Sequence, residues 1–342
     1  MKCISSTKIL IGLILNLSFL FGCNSSDTSI PKPDVSNIKI DLKVHRFDQA
    51  LFAIPPDSIP ASVPLLEKKF GAFFGIFGSD IIHIGETNQR NFGPMLQQFV
   101  SDYNMQDVYK QCQNKFIDIS ELTSSITEGF KYFKHYFKEK HIPVIYLYMG
   151  GFNQSIITSD SILGIGLEKY LGRNCDFYSR LGLASYQVYK MQEKFILPDC
   201  FKALAWSEFP YVDSVDNLAS NMIYQGKVQY FMDLILPDCP DTTKFGYTQK
   251  QWEWCIKNEK TMWAYLIDKK QLFTTVQIDV KRYIDDAPFT STFPHESPGR
   301  TGVWIGWRMV KKYMELHPKV SLKQLMLDND YQKIMNSSKY NP

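Results

Sequence analysis

Six histidines are the first residues to weigh for chemistry: His45, His83, His135, His141, His295 and His317. A helical zinc-hydrolase site needs H-E-x-x-H, which sets two imidazoles one turn apart on one face and adds a glutamate as general base. The chain contains no such string, and no histidine lies between residues 142 and 294. The stretch Asp199–Ser220 holds Glu208 and no histidine. It is followed by "NMIYQGKVQYFMD" (Asn221–Asp233), an apolar helix carrying Tyr224, Gln225 and Gly226. A metal ligand is wanted from such a helix, and the neutral amide of Gln225 is a far poorer zinc ligand than a carboxylate. We therefore expect neither metal nor cofactor.

Other catalytic patterns are weak. "HES" (His295–Ser297) brings a histidine, an acid and a serine together, but a triad is a spatial arrangement and adjacent residues do not face one another. No G-x-S-x-G elbow is present. Asp285 and Asp286 read as a solvated turn. Arg300, between Gly299 and Gly302 just before a helix, has two readings: an anion held at that helix N-terminus, or a guanidinium bonding loop carbonyls.

The N-terminus is the most legible segment. "MKCISSTK" is basic, "ILIGLILNLSFLFG" is apolar over 14 residues, and "LFGC" ends at Cys23. A small residue before a cysteine that closes such a run is the cleavage pattern of a bacterial lipoprotein, so residues 1–22 are expected to be removed and Cys23 lipidated. "NSSDTSIPKPDVSN" continues as a polar tether, which makes residues 23–37 a linker and residues 38–342 the folded part. Removing Lys2 and Lys8 from 38 basic residues leaves 36 against 35 acidic ones, a balance that gives no reason to expect nucleic acid. Five further cysteines show no framework. The string "ILPDC" occurs twice and raises one candidate bridge, Cys200–Cys239.

The elements that position these residues fall in two parts. "IKIDLKVHRF" alternates as a strand, "VPLLEKKFGAFFGIFG" reads as an apolar helix ended by glycine, and residues 94–140 are mostly helical. The stripe Ile126, Phe130, Phe133 and Phe137 is core. "IPVIYLYMGG", "QSIITSD" and "SILGIGLEKYLG" are three β-rich runs of a small antiparallel or mixed sheet. From Ser185 the chain is helical nearly to its end, with one long loop at Ile284–Arg300. The fold class is α+β, with a sheet-containing N-terminal part and a mainly helical C-terminal part.

The mature chain resembles the gliding-motility lipoprotein GldB family of Bacteroidetes. The resemblance runs through "VHRFDQALF", "LGIGLEKYLGRNCDFYS", "NMIYQGKVQYFMDLILP", "NEKTMWAYLIDKKQLF" and "PGRTGVWIGWRMVKKYMELHP" to the tail "SSKY". That family is itself similar to zincin-like proteases that carry H-E-x-x-H and a following E-G helix. The resemblance implies a degenerate peptidase scaffold, with Gln225 at the third-ligand position and Gly226 matching the glycine that follows it. Tyr224 would belong to the aromatic surroundings, and Glu259 and Arg300 would line a remnant cleft. It implies a non-enzymatic, lipid-anchored protein of the gliding and type IX secretion machinery; the few acids of the tether point to one that faces the periplasm. Such a protein would bind other envelope proteins through the old cleft or an aromatic rim at Trp252, Trp254 and Trp263. Two alternatives remain open: a hydrolase using an unrecognised site around His295 and Glu296, and a purely structural lipoprotein.

Overall fold

The computed structural model describes residues 32–212 and 215–342, so the expected signal peptide, Cys23 and most of the tether lie outside the described residues. Four strands form one sheet in the order β1-β2-β4-β3: β1 Val44–Arg46, β2 Val144–Tyr148, β3 Ile156–Ser159 and β4 Ile162–Gly166. β1, β2 and β4 run parallel, while β3 is antiparallel to β4 and stands at the sheet's edge. The sheet is therefore the mixed one of the two expected types.

The first strand is shorter than its alternation suggests. Val44 pairs with Ile145, so residues before Lys43 run past the start of β2 at Val144 and have no partner strand to join. β3 and β4 form a hairpin across Asp160 and Ser161, with Ser159 opposite Ile162.

Helices of eight residues or more, in chain order, are α1 Ile59–Phe70, α2 Phe92–Ser101, α3 Tyr103–Lys115, α4 Ser120–Tyr136 and α5 Ile196–Glu208. They continue as α6 Leu218–Ile235, α7 Gln249–Asp268, α8 Gln277–Ile284, α9 Thr301–Leu316 and α10 Tyr331–Ser338. The single helix expected over "VPLLEKKFGAFFGIFG" is broken inside the string: α1 ends at Gly71, which takes φ +54°, a conformation a side chain would resist, and Gly78 ends nothing. The chain then resumes as a short helix and a π-type turn through Ile81. This segment and α2 pack Phe47, Phe73, Phe74, Phe77 and Phe92 into an aromatic cluster that also takes in Tyr148 and Ile157 from the sheet. On the other side of the sheet, α5 packs against β3 and β4. The α4 stripe is core as expected, since Ile126, Phe130, Phe133 and Phe137 are all buried.

The helical part is organised by the crossing of α6 and α9. At the crossing, Gly226 meets Gly306: a Cβ on Gly306 would lie 1.8 Å from Met222 O, and one on Gly226 2.4 Å from Gly306 C. Only hydrogen fits at either position, so the two backbones touch. Next to the crossing, buried Asp233 accepts from Trp307 Nε1 at 2.6 Å and from the Lys244 ammonium. Both charges are therefore paired where burial would otherwise be costly. No described helix is long and apolar enough to cross a membrane.

The candidate bridge Cys200–Cys239 is not formed; both thiols are free. The two "ILPDC" copies differ in local structure. The first opens α5 and lies wholly within it, while the second straddles the end of α6 and the turn beyond. Cys200 is buried, and burial raises its thiol pKa well above the ordinary value.

Candidate functional site

The residues singled out by sequence do not share one cleft. Tyr224 is buried on α6, donates from its hydroxyl to Phe209 O at 3.0 Å, and packs against Tyr211 and Tyr331. Gln225 beside it is half-buried, and Gly226 is taken up by the helix crossing. Glu259, on α7, accepts from Arg308 Nε at 2.9 Å and from Tyr340 OH at 2.6 Å, tying the C-terminal tail to α7 and α9. Arg300 lies eight residues before Arg308, about 12 Å along the chain of α9. Its Nη1 donates to Phe245 O at 3.2 Å, as its carbonyl-bonding reading expects. In "HES", Ser297 is buried and His295 is exposed against Phe289, so the two side chains part. Among the described residues, no group of three or more His, Cys, Asp or Glu is placed to hold a metal.

The tryptophans expected to form a rim pack against other aromatic rings. Trp252 contacts Phe245, Trp304 and Trp307; Trp254 contacts Phe293; Trp263 contacts Tyr340. All three are half-buried.

Polar groups converge elsewhere, in a groove of about 670 Å³ between β3 and α5. One wall is the edge strand, with Ile156 and Thr158. Gly166 N donates to Ser155 O, and the register continues with Ile157 opposite Gly164 and Ser159 opposite Ile162. In an antiparallel ladder the bonded pairs alternate, so residues 155, 157 and 159 turn their backbone groups toward β4. Ile156 and Thr158 then turn their N–H and C=O groups to the open edge. Their side chains face the α5 side, while Ile157 packs into the aromatic cluster on the other.

The opposite wall is α5. Asp199, Lys202 and Trp206 line the groove at helical spacing, and Trp206 is 41% exposed. Asp199 accepts from Tyr170 OH at 3.0 Å and pairs with Lys202 at 3.2 Å, while Lys202 also lies over the Trp206 ring. Lys190, at the end of the short helix Ser185–Lys190, pairs with Asp286. This pair lines both the groove and a second cavity of about 300 Å³ that reaches Arg173, Tyr247 and Arg300. Burial pulls the Lys190 ammonium pKa down against the attraction of Asp286. Burial would raise the Asp286 pKa, but Arg300 and Lys190 outweigh it and hold the carboxyl below its ordinary value.

Asp285 and Asp286 are both exposed, as expected of a solvated turn, and Asp286 is in addition paired with Lys190. Sequence reasoning missed it, together with Lys190 and Lys202, because each is an ordinary charged residue and the groove joins segments nearly 100 positions apart. The legible signal was β3 itself, a short β-rich run bounded by turn residues.

A third cavity, of about 490 Å³, lies beside Gly129, Leu197, Leu236 and Pro237. It is more apolar and brings together fewer polar groups, so the β3–α5 groove is the better candidate site.

Comparison with curated proteins and with solved structures finds no match. The family model described as "Gliding motility protein GldB", of lipoprotein type, matches residues 28–342, nearly the whole chain. Its lipoprotein character fits a membrane-anchored envelope protein, and the chain belongs to the GldB gliding-motility family.

Proposed function

We propose that this protein is a lipid-anchored, non-enzymatic docking protein of the gliding and type IX secretion machinery, facing the periplasm, whose β3–α5 groove receives an extended segment of another envelope protein. The observation that carries the reading is the free edge of β3. Ile156 and Thr158 offer two N–H and two C=O groups beside a groove of about 670 Å³, and an unpaired edge is a template for strand addition. Trp206 supplies an exposed aromatic anchor of the kind that dominates binding energy at interfaces.

On this reading the scaffold is a degenerate zincin-like one. The segment where the ligand histidines would stand is α5, which turns Lys202, Ala203 and Trp206 to the groove, and α6 carries Gln225. Chemistry has been given over to binding.

Photo-crosslinking in the native envelope tests the reading. A crosslinking residue at exposed Ser159 should yield a discrete adduct with another envelope protein, absent from a control at Gln332 on α10. Adding Thr158→Pro should abolish it, because proline removes the outward N–H yet is tolerated on an edge strand. An adduct equally strong from both positions, or one indifferent to Thr158→Pro, would sink the proposal.

A further inference from the structure

We infer that the chamber beside Arg300 is an anion-recognition subsite that selects an acidic side chain on the segment docked along β3; this rests on the docking role proposed above. The chamber adjoins the groove through one shared wall, the Lys190–Asp286 pair. A segment lying on β3 therefore passes directly beside it.

Charge complementarity fixes the chemistry of the occupant. Arg173, Lys190 and Arg300 line the chamber against a single carboxylate, that of Asp286. Arg300 is 8% exposed, and its Nε lies 3.8 Å from Asp286 Oδ1, longer than a hydrogen bond. Asp286 is thus shared by two cations and satisfies Lys190 better than Arg300. The N-terminus of the 20-residue helix α7 adds to the same field: its cap Thr248 and Gln251 line the chamber.

Arg300 is also positioned with care. It takes the left-handed conformation, φ +61°, uncommon for a residue with a side chain, and Tyr247 OH bonds both Gly299 O and Arg300 O. This backbone is held so that the guanidinium enters from the end of α9. A carboxylate from a docked segment can pair with Arg300 and Arg173, which line the same chamber. Asp286 then remains with Lys190. A cationic ligand side chain would meet three like charges there.

Display of randomised nine-residue peptides, panned against the purified soluble domain (residues 32–342, one compact unit), tests this. Wild-type protein should enrich peptides with Asp or Glu at one fixed position. A synthetic peptide from that set should bind roughly tenfold more tightly than its Glu→Gln version, the size expected when a well-placed charge pair is lost. Arg173→Gln, at an exposed residue whose loss should leave the fold intact, should remove the acidic preference while peptides still bind. Arg300→Gln, checked for folding by circular dichroism, should do the same. Enriched peptides with no acidic position, bound equally by wild type and Arg173→Gln, would overturn the anion subsite and leave edge docking standing. Failure of wild type to enrich anything beyond what Thr158→Pro enriches would overturn both.

Discussion

The α6–α9 crossing and the β3–α5 groove are opposites. At the crossing, two glycines bring backbones into contact, the Asp233 and Lys244 charges are paired out of water, and nothing is left over for a ligand. In the groove, backbone groups of an edge strand are open, charged side chains are partly exposed, and Trp206 is 41% exposed. The sequence drew attention to the first region, since Tyr224, Gln225 and Gly226 sit in a motif-like string. The structure gives that string an architectural job. The same protein places its versatile chemistry on residues with no motif at all.

The comparison breaks most sharply at the crossing. Gly306→Ala should cost about 3 kcal/mol or more, beyond ordinary overpacking because the clash is with the Met222 carbonyl rather than a movable side chain. Denaturant unfolding reads this directly; a loss near zero would mean that α6 and α9 are not in backbone contact.

A second test concerns Glu168, at the foot of the sheet. It is fully buried, accepts from Gly150 N at 2.7 Å and Phe152 N at 3.1 Å through Oε1, and its Oε2 has no hydrogen-bond partner among the described residues. Burial outweighs those two bonds and raises its pKa from 4.5 to about 7. Folding then takes up a proton between those values. The stability this group contributes is complete below pH 4.5 and is lost as pH rises through about 7. The loss is about 3 kcal/mol for a shift of this size. The difference in unfolding free energy between wild type and Glu168→Gln, measured from pH 4.5 to 8, should change by that order. A flat difference would show that Glu168 is already ionised in the fold.

The smallest effect belongs to the residue with the strongest motif appearance. Gln225→Glu should change stability by less than about 1 kcal/mol, as expected of a half-buried polar swap, and should not confer zinc binding. A site needs further ligands, and among the described residues no His, Cys, Asp or Glu group is placed to supply them. Near-stoichiometric zinc in this variant, by elemental mass spectrometry, would show that ligands converge there after all.

What was legible in the sequence was what periodicity reports. The three β-rich runs became β2, β3 and β4, and the Phe130–Phe137 stripe became core. Periodicity reports nothing about partners, which is where the reading failed. "IKIDLKVHRF" alternates from Ile38 to Val44, but its strand is only Val44–Arg46, because residues before Lys43 run past the start of β2 and a helix begins at Phe47. The repeated "ILPDC" suggested a symmetry that the helix boundaries do not honour. Nothing in the sequence shows that Trp304, Trp307 and Phe293 return to pack against Trp252 and Trp254, which stay half-buried. The groove was illegible for the same reason: β3, Lys190, Lys202 and Asp286 meet only once the sheet edge and α5 are assembled.

Amide hydrogen exchange along β3 in the free protein tests the central claim most directly. Ile157 and Ser159, bonded to β4, should exchange slowly, while the amides of Ile156 and Thr158 should exchange at least about tenfold faster and become protected when a display-selected peptide is bound. Slow exchange at Ile156 and Thr158 in the free chain would mean that the edge is already occupied, and would contradict the account.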